Sequence, residues 1–414
     1  LQQAGFEITY FVKSSIHFFL RIWIRVTSYF FFDKIKIRGI ENLPMDCPVI
    51  FACNHPNAFL DSLLMTTLVK RPLYYIARGD FFKPKIVSAL LHFINILPVF
   101  RKEEGKELMH KNNETFSYCM EVFKKKGALV IFSEGLSENK WELRSLRKGT
   151  ARLAFEAWNN PEIAERLKVV PVAIHYSSWT KIHPVATVEF LKSMERNSFD
   201  KLDETGYFNR IFNEKLKERL SEKCIVVDKT GDAGLQNKMV AFMLKNFANG
   251  ASDAKWLQDQ YSEPENEKFK SNYNALSNFL TKDNINYDLK PGVGIMKWID
   301  LVGWFIVKVT ALIYNFIPYY ICKFIVRGTT KGNDFYDSLL YCMLMLIYPV
   351  YLIVLFFTTN HEVNYQAGLI NVFLAAFSAY YYEASKRFIQ SFFKRKELVV
   401  VHNMFNQLFE KGNG

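Results

Sequence analysis

The sequence predicts an α/β domain, with an N-terminal interfacial amphipathic helix before it and a C-terminal helical membrane region after it. Three observations carry this. Between residues 34 and 195, short apolar runs alternate with helix-length patterns, the order of an α/β sheet. From Tyr10 to Phe32 an otherwise apolar stretch carries one stripe of cations. Beyond residue 294 the chain turns apolar, and Ser338 to Phe357 gives twenty residues without a charge, enough to cross a bilayer as a helix.

In the first segment, 1–33, Lys13, His17, Arg21 and Arg25 recur at every fourth position, and Phe18, Phe19, Ile22, Trp23 and Val26 occupy the other face. Residues four apart share one side of a helix. A basic face opposite aromatic residues suits a helix lying among lipid headgroups. The stretch is too long and too basic for the core of a cleavable signal.

Within 34–195 the candidate strands are 49–53, 73–76, 94–100, 128–132, 168–173 and 186–191, with helical patterns clearest at 106–125 and 147–158. Residues 196–293 are charged, polar and punctuated by glycine, and read as an appended helical and polar segment with a loop at 262–267. In the last segment, 294–414, spans are expected at 338–357 and 367–382. Residues 298–320 are also apolar, but Asp300, Lys308 and Pro318 interrupt them. A charge at mid-bilayer costs about 2.5–3.5 kcal/mol on insertion scales, so an interfacial or re-entrant segment is expected there. The loop between the two spans holds Glu362 and no Lys or Arg, whereas Lys386, Arg387, Lys394, Arg395 and Lys396 follow the second. The positive-inside rule then puts both flanks, and the α/β domain, on the cytoplasmic side.

The bulk composition narrows the function classes. Net charge is +12, and 50% of residues are apolar, including 38 Phe and 21 Tyr. A basic, aromatic-rich chain points to nucleic acid or an anionic membrane surface, and no zinc-finger or RNP-type motif supports the former. The six cysteines show no CxxC and no disulfide-like spacing, which fits a reducing compartment and excludes a Cys-rich metal site. His110, His175 and His183 show no metal-ligand spacing, so no metal is expected.

The chemistry-bearing stretch is Asn54-His55-Pro56-Asn57-Ala58-Phe59-Leu60-Asp61, directly after the apolar run 49–53. A strand-end histidine held by a carboxylate is what a general base requires, because the carboxylate sets the tautomer and stabilises the imidazolium. Taken alone, the octapeptide serves equally well as a helix start capped by Asn57 or Asp61. In a regular helix, residues six apart lie roughly 240° around the axis, so His55 and Asp61 meet only across a non-helical turn, which Pro56 and Asn57 supply. Cys53, two residues before His55, is expected to point into the core rather than to act as a nucleophile.

Three more segments end candidate strands: Ile96-Leu97-Pro98-Val99-Phe100-Arg101, Ile131-Phe132-Ser133-Glu134-Gly135-Leu136-Ser137, and Val169-Val170-Pro171-Val172-Ala173-Ile174. With Asn54–Asp61 they resemble, in order and spacing, the four blocks of the glycerophospholipid acyltransferase superfamily, the PlsC-like domain, over roughly residues 36 to 195. The resemblance implies that His55 is the base and Asp61 its orienting partner. It gives Arg101 the acceptor's phosphate, Glu134 and Gly135 the acceptor site, and Pro171 the placing of the final strand. Lys148-Gly149 resembles the basic-Gly pair that follows the third block. Asn54 and Asn57 would support the histidine turn. Two departures bear on the acceptor. Five residues separate His55 from Asp61 where the family usually has four, as in the longer Asn-His-Pro-Asn form of some glycerol-3-phosphate or dihydroxyacetone-phosphate acyltransferases. Leu136-Ser137 also stands where Thr-Arg is usual, leaving Arg144, Arg147 or Lys148 to replace the missing arginine.

The expected reaction is transfer of a fatty acyl group from acyl-CoA or acyl carrier protein to a hydroxyl of glycerol 3-phosphate or lysophosphatidate, with no cofactor. Backbone N–H groups near the following helix start would hold the oxyanion. The expected partners are membrane lipids, the thioester donor and the glycerol-phosphate acceptor, and not nucleic acid. Two alternatives stay open: an acyltransferase acting on another lipid alcohol, such as an aminolipid, and a non-catalytic membrane scaffold that keeps the fold.

Overall fold

The computed structural model describes residues 2–101, 107, 110–179, 183–199, 205–227, 233–246, 252, 254–255, 259–260, 267–282, 298–330, 335–393, 400–401 and 403–404. The expected loop at 262–267 and the basic run 394–396 fall almost wholly outside them. In chain order the elements are α1 (Gln2–Phe31), β1 (Lys34–Arg38), β2 (Val49–Cys53), α2 (Ala58–Leu68), β3 (Leu73–Arg78), α3 (Lys85–Phe93), β4 (Ile96–Val99), α4 (Lys111–Lys124) and β5 (Ala128–Phe132). They continue as α5 (Lys148–Trp158), β6 (Lys168–Tyr176), β7 (Val185–Phe190), α6 (Thr205–Ser221), α7 (Ala233–Asn246), α8 (Glu267–Lys282), α9 (Trp298–Thr330), α10 (Tyr336–Glu362) and α11 (Tyr365–Phe393). They form two compact units, one of residues 1–29, 35–175 and 187–224, the other of 30–34, 176–186 and 225–414.

The first unit is built on a seven-stranded sheet in the order β1-β7-β6-β2-β5-β3-β4. Every residue of β2 is buried, which follows from its unbroken Val-Ile-Phe-Ala-Cys sequence: a strand apolar on both faces belongs in the middle of a parallel sheet. It pairs in parallel with β5 on one side and β6 on the other. The chain leaves β2 toward β3 and β4, then returns across it from β5 to β6. Side chains beyond the carboxyl ends of β2 and β5 therefore stand at the switch in strand order, where open α/β sheets place ligands. The register sets Cys53 beside Phe132, so residues 54–55 emerge level with 133–134.

Two features of this unit differ from the sequence reading. The α/β core runs on past residue 195, because Phe208, Phe212, Leu216 and Leu220 of α6 recur every fourth position and bury one stripe. Phe208 and Phe212 pack with Phe199 against the buried Trp158 of α5. The basic stripe of α1 does not face headgroups along its described length. His17 Nε2 donates to the Phe93 carbonyl at 2.6 Å, Arg21 to Lys70 at 2.8 Å and Arg25 to Thr67 at 3.0 Å. These carbonyls lie in or just beyond the last turns of α2 and α3, where unpaired carbonyls and the helix dipole favour cations. The opposite face, with Phe18, Phe19, Ile22, Val26 and Tyr29, is exposed.

In the second unit α9 is one continuous helix of 33 residues, running through Pro318. At 1.5 Å per residue it is about 50 Å long, well beyond the roughly 30 Å of a bilayer core. The stretch 298–320 is therefore part of one unbroken helix rather than a separate segment: a proline inside an apolar helix is tolerated where neighbouring helices supply the lost contacts. Among the described residues, 299–330 and 336–362 form helices long and apolar enough to cross a membrane. The stretch 367–382 lies within α11, whose Asn371, Ser378 and tyrosine cluster dilute its apolar character. A polar seam joins the three helices. Tyr314 donates to Asn371 at 2.6 Å, Tyr348 to the Asn315 side chain at 2.6 Å, and Asn315 to Ser378 at 3.2 Å. Hydrogen bonds of this kind hold helices together where the surroundings are as apolar as the side chains.

Candidate active site

His55 and Asp61 meet. His55 Nδ1–H donates to Asp61 Oδ2 at 2.8 Å; the carboxylate is fully buried and the imidazole 16% exposed. The contact needs the turn between them to leave helical geometry, and it does: Ala58 opens α2 at φ +37°. Asp61, in the first turn of α2, then points back along the chain, and its Oδ2 also accepts the Asn57 N–H at 2.9 Å. With Nδ1 held as donor, Nε2 is the basic nitrogen. The Phe132 ring stacks on the imidazole at 3.9 Å and 12°, closing one of its faces.

Asn54 anchors this turn to the sheet. Its amide donates to the Ile174 carbonyl at 3.0 Å and accepts the Ile174 N–H at 2.8 Å, a side chain continuing the β2–β6 ladder. Pro171 sits three residues before Ile174, buried beside Ala52, with its carbonyl taken by Leu191 N–H. It belongs to the sheet rather than to the site.

Glu134 is placed differently from the expectation. Its carboxylate is almost fully buried, and Oε2 accepts the His55 backbone N–H at 3.1 Å. Both oxygens also take Arg144: Oε1 its backbone N–H at 3.1 Å, Oε2 its Nε at 3.1 Å and its Nη2. Arg144 Nη2 donates besides to the His55 carbonyl at 2.9 Å. Glu134 thus clamps the main chain of the histidine turn to the loop after β5. By the same contacts Arg144 turns Nε and Nη2 onto an internal carboxylate and carbonyl rather than outward, while its Nη1 is buried without a hydrogen bond.

Arg101 Nη2 donates to the Gly135 carbonyl, which brings the second and third blocks together. Gly135 has φ +71°, and a Cβ there would lie 2.9 Å from Arg147 Cγ, so glycine is required on both counts. Arg147 precedes α5, its N–H donating to Ser133 at 2.7 Å, and Lys148 stands exposed at the helix start.

Sequence reasoning missed Ser137, whose Oγ accepts the Ala58 N–H at 2.6 Å and so braces the positive-φ residue of the turn. Only its standing where the family has arginine marked it. The contact also revises the oxyanion expectation, because Asn57 N–H and Ala58 N–H are taken by Asp61 and Ser137. Ser133 bonds Thr150 Oγ1 at 3.0 Å and ties β5 to α5. Cys53 is fully buried with its thiol pushed well up by burial and by Asp61, so it is no nucleophile.

The family model described as Acyltransferase matches residues 34–175. The chloroplastic 1-acyl-sn-glycerol-3-phosphate acyltransferase of Arabidopsis thaliana is 29% identical over 139 residues, 33% of this chain and 37% of that protein. Its counterpart from Brassica napus is 27% identical over 139 residues, 33% of this chain and 38% of that protein. The match thus spans less than half the length of either relative. The solved structure of PlsC, the 1-acyl-sn-glycerophosphate acyltransferase from Thermotoga maritima, covers 50% of this chain and 80% of its own at 17% identity and a TM-score of 0.36. Residues 34–175 of this chain are a PlsC-like acyltransferase domain, a member of the glycerophospholipid acyltransferase superfamily.

Proposed function

We propose that this protein is a membrane O-acyltransferase of phospholipid synthesis, moving a fatty acyl group from acyl-CoA or acyl carrier protein to a hydroxyl of lysophosphatidate or glycerol 3-phosphate. The 2.8 Å contact between His55 Nδ1 and Asp61 carries the reading. His55 Nε2 takes the acceptor's hydroxyl proton as its oxygen attacks the thioester carbonyl. The tetrahedral intermediate collapses, the C–S bond breaks, and the leaving thiolate recovers the proton from the imidazolium. Asp61 stabilises that imidazolium and holds the tautomer, and a base of this kind is worth about 10²- to 10⁴-fold in rate. No acyl-enzyme is required.

Lysophosphatidate is favoured by the names of the relatives, and glycerol 3-phosphate by the Asn-His-Pro-Asn form of the first block. A lipid alcohol without phosphate is the second reading. It is favoured by the engagement of Arg144 with Glu134, which takes one of the three candidate replacement cations inward and leaves Arg101, Arg147 and Lys148 for a phosphate. Cytoplasmic placing of the domain requires two crossings, α9 and α10, with α11 and the basic residues after it on the domain's side of the membrane.

Purified protein given acyl-CoA with both glycerol phosphates at equal concentration should consume lysophosphatidate first. Preference for glycerol 3-phosphate reverses the order, and transfer to neither, with transfer to an aminolipid alcohol, selects the second reading. Wild-type rates in His55→Ala would remove the mechanism.

A further inference from the structure

Helix α3 is an anomaly of packing. Six of its nine residues, Ile86, Val87, Ala89, Leu90, Leu91 and Phe93, are apolar, yet none of the nine is buried. Ile86 is 86% exposed and Leu90, one turn on, 57%. A helix this short gains its stability from burying an apolar face, and here the face is left in the open. Its charges are equally out of place. Lys83 and Lys85 are exposed at the N-terminal end, where the helix dipole opposes cations, and the first turn holds no acidic residue. The apolar surface also leads to the site. Phe81, just before α3, meets Phe59 at 6.1 Å, and both are exposed. Phe59 lies between His55 and Asp61 at the start of α2. At its far end Phe93 packs edge-on against His17 of α1, at 5.4 Å.

We propose that α3 is a membrane contact of the catalytic unit: its apolar face, through Ile86 and Leu90, enters the interface of an anionic bilayer while Lys83 and Lys85 meet the lipid headgroups. Unburied apolar residues at helical spacing beside lysines are the composition of an interfacial helix. Lysines unfavourable to the helix itself are favourable at a negative lipid surface, each by about fivefold in binding. The path from α3 through Phe81 to Phe59 lets a lipid acceptor reach His55 from the bilayer without crossing water. That last consequence rests on the acyltransferase reading; the membrane contact does not.

The test uses the full chain with Cys47→Ser and Cys342→Ser, carrying an NBD label at Ile86→Cys or Leu90→Cys, with Lys217→Cys on exposed α6 as the aqueous control. The chain is reconstituted in substrate-free vesicles of phosphatidylcholine with or without phosphatidylglycerol, with doxyl lipids as quenchers. Labels at 86 and 90 should shift to the blue and be quenched by shallow doxyl groups when phosphatidylglycerol is present, and Lys83→Glu with Lys85→Glu should reverse this. Emission matching the control in every vesicle overturns the proposal. So does protection without anionic lipid that is accompanied by disulfide cross-linking between Ile86→Cys chains, which gives the face to a second copy. In assays, Ile86→Asp with Leu90→Asp should raise KM for vesicle-borne long-chain lysophosphatidate about tenfold and leave kcat on a short-chain, monomeric acceptor unchanged. Quenching without activity would spare the membrane contact and remove the acyltransferase reading; activity without quenching would do the opposite.

Discussion

Glu134 accepts the backbone N–H of His55 at 3.1 Å, so the carboxylate of the third block holds the main chain of the candidate base. The same carboxylate is buried against Arg144. Removing one partner of such a pair strands the other charge, at about 3–5 kcal/mol. Arg144→Met should therefore lower the thermal midpoint strongly, and Glu134→Gln with Arg144→Met should restore much of it while the rate stays low. Thermal unfolding of the single and double variants measures the coupling; strictly additive losses would show that the pair does not act as one.

The dyad has its own signature in kinetics. His55→Ala should reduce kcat by about 10²- to 10⁴-fold. Asp61→Asn should lower kcat with little change in KM, since the amide disturbs the tautomer and leaves the acceptor's binding groups in place. Steady-state assays with varied acceptor separate the two parameters.

Ser137 offers a quieter test. Ser137→Ala leaves the nearly buried Ala58 N–H without its acceptor, at about 1–3 kcal/mol. Ala58→Gly in that background should recover about 0.5–1 kcal/mol, because φ +37° is a conformation glycine enters freely. Chemical denaturation of the two variants reads both effects.

Acid sensitivity should trace in part to His175, a buried residue of β6 whose Nε2–H donates to the Lys223 carbonyl at 3.2 Å. Burial lowers its pKa from 6.5 to about 4, so below pH 6.5 the unfolded chain binds a proton that the folded chain refuses. Stability from this residue is complete above pH 6.5 and is lost as pH falls toward 4, by about 3 kcal/mol in all. Denaturation midpoints at pH 7 and pH 4.5 should differ less in His175→Gln than in the wild type.

Much of the fold was legible because apolar runs bounded by turn residues are hard to place anywhere but in strands: β2 and β5 start and stop where their composition changes. β1 was not legible. Lys-Ile-Lys-Ile-Arg has no buried residue, and short charged edge strands hide their own pattern. The meeting of His55 and Asp61 was legible only from the four blocks together: the octapeptide alone read equally well as a capped helix start, and its spacing said only that a meeting needs a non-helical turn. The placing of Glu134 was not, because a carboxylate at a strand end suits a substrate or an arginine equally well, and Arg144 lies ten positions on in a loop without periodicity. In α1 the two faces were read correctly and their neighbours were exchanged: cations that suit headgroups also suit the carbonyl end of a helix. In α9 two charges and a proline outweighed length, although the helix runs on past them.

Residues before position 30 would be a natural first truncation. His17, Arg21 and Arg25 would leave with it, and the closing turns of α2 and α3 would lose the cations that cap their carbonyls, at the ends of those helices away from His55. The opening helix is a fixed wall of the catalytic body, not a detachable tether.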